Sequence, residues 1–159
     1  MSSFPSRQPP FAAPPNSSRT KTYFLVAAIV AGMALVLSTC GRGFYHNYNL
    51  SAAAVDRFHA ELDQGDYDSI WENGTDDFRK ISSRENISRF FQSAHQKLGN
   101  SGKKISVGFH VNWQARGVWV SQVFDTQFAQ AKARESFIWV IVNDEAKLQS
   151  YNVNPLNSQ

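Results

Sequence analysis

Ile105-Ser106-Val107-Gly108-Phe109-His110-Val111-Asn112-Trp113 places an apolar side chain at every second position over nine residues. That period of two belongs to a strand with one buried face. The alternation starts after Gly102 and replaces a helical spacing upstream, so the fold changes character there. Downstream, Ala115-Arg116-Gly117 supplies a turn, and Val118 to Phe128 forms a long second strand with Val118, Val120, Phe124 and Phe128 on one face. Ala131 to Ala133 turns again. Ser136 to Val142 is apolar on both faces, as a central strand requires. Asn143-Asp144-Glu145 turns once more, Leu148 to Val153 closes a four-strand meander, and Asn154-Pro155 ends it.

Upstream the spacing is 3.6. Ser51 can cap a helix over 52–64, where Val55, Phe58 and Leu62 share a face and Gly65 is the stop. Asp66 can cap a short helix carrying Tyr67, Ile70 and Trp71, broken by Asn73-Gly74. Thr75 to Ile81 gives one or two turns burying Phe78 and Ile81. Ser82-Ser83-Arg84-Glu85 reads as a capping box, with Ile87, Phe90, Phe91, Ala94 and Leu98 at helical spacing behind it and Gly99 as the stop. Helices followed by an antiparallel sheet make an α+β plan: an N-terminal transmembrane or signal helix, then two to four helices packed on one face of a curved four-stranded antiparallel meander.

The twenty residues Thr22 to Gly41 carry no charge. A helix rises ~1.5 Å per residue, so about this many residues span a ~30 Å hydrocarbon core. The expected membrane segment is 23–39. Arg7, Arg19 and Lys21 precede it without an acid, which places the amino terminus in the cytoplasm and the carboxy terminus outside. Two readings of its far end stand side by side. Leu37-Ser38-Thr39-Cys40 resembles a bacterial lipobox, with Thr39 where Gly, Ala or Ser is usual, and this would make Cys40 a lipidation site. Alternatively the segment is an uncleaved signal anchor and Cys40 a buried thiol, as the 22-residue leader suggests. A single cysteine excludes an intramolecular disulfide.

Five of the six prolines lie in the first fifteen residues, so 1–22 is expected to be a disordered tail. A linker over 40–50, a domain over 51–154 and a tail over 155–159 complete the organisation. The net charge of +3 belongs to the anchor: 1–50 holds four bases and no acid, leaving twelve bases against thirteen acids in 51–159. A nearly neutral domain excludes an electrostatic nucleic-acid binder.

The run Val55-Asp-Arg-Phe58, Leu62-Asp63, Gly65-Asp66-Tyr67, Ile70-Trp71 and Phe78, followed by the meander and Ala146-Lys-Leu-Gln-Ser-Tyr151, resembles small exported bacterial domains of the nuclear transport factor 2-like and cystatin-like superfamily. The resemblance covers about 51–154. It implies a cone enclosing a pocket. It does not imply one function, because the superfamily holds enzymes, transport factors and accessory domains.

Within such a pocket the candidate catalytic residue is Asp125, on the strand face of Trp119 and Val123. A carboxylate against an indole has a raised pKa and can act as a general base. The same face holds Ser121 and Gln127, so a solvated carboxylate or an arginine partner is the competing expectation. His59 reads as a boundary residue, His95 as exposed, and His110 as pointing away from the apolar set. With His46 they show no ligand spacing, so no metal and no cofactor is expected. No G-x-S-x-G occurs. Trp119, whose neighbours on its face are largely polar, marks a contact patch, and Trp113 and Tyr151 join it as candidate ligand- or partner-binding residues. The expected function is a membrane-tethered binding or accessory domain outside the cytoplasm, holding an unknown protein or a small apolar ligand. The rivals are a small enzyme with an acid/base site and an envelope component acting by self-association.

Overall fold

The computed structural model describes the chain from Ser17 to Leu156, with side chains described over 23–33 and 43–156. The chain divides into two compact units, 1–41 and 42–159. Helix α1 is Ser17–Gln64. In the first unit every described side chain, Tyr23 to Met33, is exposed, and none is charged. Among the described residues no helix is long and apolar enough to cross a membrane; the described apolar run is eleven residues, Tyr23 to Met33. The side chains of the rest of the expected segment, 34–39, and of Cys40 are not among those described, and the leader over 1–16 lies outside the described residues.

The second unit is α+β. The carboxy-terminal part of α1 is followed by α2 (Tyr67–Glu72), α3 (Asp76–Ile81), α4 (Arg84–Leu98), β1 (Ser101–Gln114), β2 (Gly117–Phe128), β3 (Lys132–Val142) and β4 (Glu145–Pro155). The strands form one antiparallel sheet in the order β1-β2-β3-β4, as the alternation predicts. Asn143 and Asp144 both have positive φ, 52° and 62°, which is the two-residue turn whose twist suits a hairpin. The turn before β3 comes earlier than expected, and Ala133 is a buried strand residue.

The core lies between the helices and one face of the sheet. Val55, Phe58 and Leu62 of α1, Ile70 of α2, Phe78 of α3 and Phe91 and Leu98 of α4 meet Val120, Phe124 and Phe128 of β2 and Phe137, Trp139 and Ile141 of β3. Phe58 is its hub, packed edge-on to Phe91 and Phe137 at 5.5 and 5.1 Å.

Several local expectations change. Where a linker over 40–50 and a cap at Ser51 were expected, the backbone is helical, and the buried Ser51 donates its hydroxyl to the Tyr48 carbonyl one turn back. The cap of α4 is Ser83, which accepts from the Asn86 amide, so Glu85 falls at the second helical position and no capping box with Ser82 forms. Ile81 is 78% exposed; it ends a six-residue helix whose inward face is taken by Phe78. Finally, β1 does not keep one apolar face. A register shift between Ser106 and Gly108 inserts a residue. Phe109 and Val111 therefore pack on the core, whereas Ile105 pairs with Asp125 on the opposite face and is exposed, as is Val107.

Candidate functional site

The chemistry-bearing groups of this fold meet inside it. His59 follows the core residue Phe58 and lies four residues after Val55, so the helix turns it inward. Glu135 shares the strand parity of Ala133, Phe137 and Trp139 and is fully buried, at 0% exposure. The two meet across 76 residues of sequence: His59 Nε2 lies 3.1 and 3.0 Å from the two carboxylate oxygens of Glu135. Thr126, its neighbour on β2, donates Oγ1–H to Glu135 Oε2 at 2.5 Å. Tyr151, on β4, donates its hydroxyl to Oε1 at 2.7 Å. Both oxygens are thus held by donors, an arrangement that satisfies a buried carboxylate as an acceptor. Burial, the Glu135 charge and this hydrogen bond together push the Tyr151 phenol well above its usual range.

The cluster is closed off. Phe58, Phe128 and Phe137 pack around the His59 ring at 5.9, 6.3 and 6.0 Å. The cavity between α1, α2 and the inner strands measures about 10 Å³, room for one water, and touches neither His59 nor Glu135. Glu61 borders it, with its carboxyl raised by burial against the opposing pull of Arg57. The Trp139 indole also borders it, and its buried Nε1 has no hydrogen-bond partner.

A larger recess of about 370 Å³ opens on the outer side of the sheet, at the end where β1 begins and β3 starts. Ile105 and Leu156 give it apolar walls, Lys103 and Lys132 stand on it, and Asp125, Thr126 and Gln127 complete it. Neither lysine makes an ion pair among the described residues, whereas the neighbouring Lys104 is paired with Asp56.

The residues singled out in the sequence do not converge. Asp125 is on the outer face and takes a two-pronged bond from Arg134, Nε to Oδ1 at 2.7 Å and Nη2 to Oδ2 at 2.9 Å. The guanidinium holds its carboxyl below the usual range, opposite to the raised value a general base needs. Trp119 is on the same outer face but half-buried, with its Nε1 buried and unpartnered, so it is no exposed patch. Tyr151 is on the core face and engaged by Glu135. Trp113 is exposed. Of the histidines, His59 is buried rather than at a boundary. His95 is half-buried between the Tyr67 hydroxyl and Asn100, at 3.2 and 2.9 Å. His110 is exposed. Among the described residues no group of His, Cys, Asp and Glu is arranged to hold a metal ion.

The His59–Glu135 pair was missed, although its signal is present in the sequence. His59 completes the i, i+3, i+4, i+7 set of Val55, Phe58 and Leu62, and Glu135 interrupts an apolar parity on a central strand. No protein-family model, curated protein or solved structure matches the chain.

Proposed function

We propose that the protein is a binding or accessory domain tethered to the cytoplasmic membrane through 23–39 and displayed outside the cytoplasm. Support for the tether comes from the first unit: a helix whose described side chains are apolar on all sides and exposed on all sides needs an apolar medium around it.

A contrast carries the binding reading. The groups fit for acid/base chemistry are sealed inside, while the recess of Lys103, Ile105, Lys132 and Leu156 is open. Apolar walls beside two ammonium groups without an ion pair among the described residues, with the Asp125 carboxylate already taken by Arg134, suit a partner that presents an apolar side chain next to a carboxylate, such as an acidic peptide segment. Such a partner needs no covalent step.

A photo-crosslinking amino acid at Gln127 of the full chain, expressed in its host, tests this. One defined adduct, lost on Lys103→Glu together with Lys132→Glu, is the expected result. Adducts that ignore both charge reversals would remove the recess as the binding surface. Intact mass of wild type and Cys40→Ser from membranes reports the anchor: full-length and unmodified for a spanning helix, or shortened and acylated for a lipoprotein.

A further inference from the structure

At the opposite end of the sheet from the recess, the domain exposes aromatic rings. Trp113 is 57% exposed at the end of β1 and Tyr45 is 69% exposed on α1. Phe44 is also exposed and packs edge-on against Phe109 at 5.3 Å. His46 bonds Asp144 of the β3–β4 turn at 2.8 Å, which fixes this stretch of α1 to the same end of the sheet as the row Trp113, Val118 and Ile141. Val142, beside that turn, is exposed too. Each of these residues belongs to the second unit.

We infer that this end of the domain rests in the interfacial layer of the bilayer, with Trp113, Tyr45 and Phe44 at the level of the phospholipid headgroups. The inference rests on the reading of 23–39 as the membrane segment. Four residues, Cys40 to Gly43, separate Thr39 from Phe44, and the five backbone steps reach at most about 18 Å in any conformation. Phe44 and everything tied to it are therefore held near the headgroups. Rings with an apolar body and a polar tip partition into that layer, and Trp and Tyr are the residues that do so best. Charge adds little: at this end the acids Asp144 and Glu145 stand against Arg116 and Lys147, with Glu145 paired to Lys147, so a zwitterionic surface suffices. The recess then faces away from the membrane, where a partner can reach it.

The test uses the full chain in phosphatidylcholine vesicles, compared with vesicles whose acyl chains are brominated near the headgroup. Bromine quenches tryptophan on contact. Trp71 and Trp119 are half-buried and Trp139 is buried, which leaves Trp113 as the exposed reporter. The expected result is a quenched component in the wild type that disappears in Trp113→Phe and returns when Tyr45→Trp is added to that variant. Both signals should persist at high salt. Protein that floats with the vesicles but shows equal emission in brominated and plain lipid overturns the inference and leaves the tether standing. Protein that does not float at all overturns the tether, and the docked end falls with it.

Discussion

The imidazole of His59 and the carboxylate of Glu135 join the first helix of the domain to a central strand, at 3.0 and 3.1 Å, with 5% and 0% of the two residues exposed. Removing one partner leaves the other buried without it. Glu135→Ala in the 42–159 unit should cost about 3–5 kcal/mol in denaturant unfolding. Replacing both by apolar residues of similar size, His59→Phe with Glu135→Leu, should recover most of that loss. If the double variant is as unstable as the single, the cluster holds the fold by more than mutual satisfaction.

Tyr151 gives the pH dependence. Its phenol is raised in the folded state, so the neutral form is the one the fold favours. The stabilisation is complete below the unfolded value near pH 10 and is lost as pH climbs toward the folded value. Stability of the wild type should fall above about pH 10, and Tyr151→Phe should flatten that fall. Absorbance at 295 nm should show a late-ionising tyrosine component that is lost in Tyr151→Phe.

Gly74 and Gly43 make opposite forecasts. A Cβ on Gly74 would lie 2.3 Å from Phe78 Cδ1 and 3.0 Å from the Trp71 carbonyl. Gly74→Ala should therefore cost about 1–3 kcal/mol by forcing the core ring aside. A Cβ on Gly43 meets nothing within 4 Å inside a helix. Gly43→Ala should be neutral or stabilising by up to about 1 kcal/mol. Paired thermal melts compare them directly.

The cap of α4 can be settled by two serines. Ser83→Ala should lower stability by about 1 kcal/mol, since it removes the acceptor of the Asn86 amide. Ser82→Ala should leave the melting curve in place. The reverse order would return the cap to Ser82.

The meander was legible because hydrophobic parity and turn residues are local signals: Val118, Val120, Phe124 and Phe128 alternate within one strand, and Asn143-Asp144 tolerates positive φ. The arginine partner of Asp125 was legible as a class, since a polar strand face asks for one. The site was less so. His59 and Glu135 each look ordinary in their own segment, and the bond between them exists only once α1 is laid on β3. Ile105 and Val107 misled for another reason. Their sequence alternation is unbroken, and the extra residue appears only in the pairing with β2. Ser51 and Ser82 are cap-type residues whose chain neighbours decided otherwise.

That extra residue acts as a phase shift within a single strand. Before it, Lys104 pairs with Thr126 on the core side and its ammonium meets Asp56 of α1; after it, Phe109 pairs with Gln122 on that same side. Odd and even positions exchange roles at Val107. Deleting one residue there would send Ile105 under the helix and turn Lys104 outward, leaving Asp56 without its partner. The strand thus carries two messages in opposite phase: its first half ties down the helix with a charge and offers Ile105 to the outer recess, and its second half supplies aromatic rings to the other end.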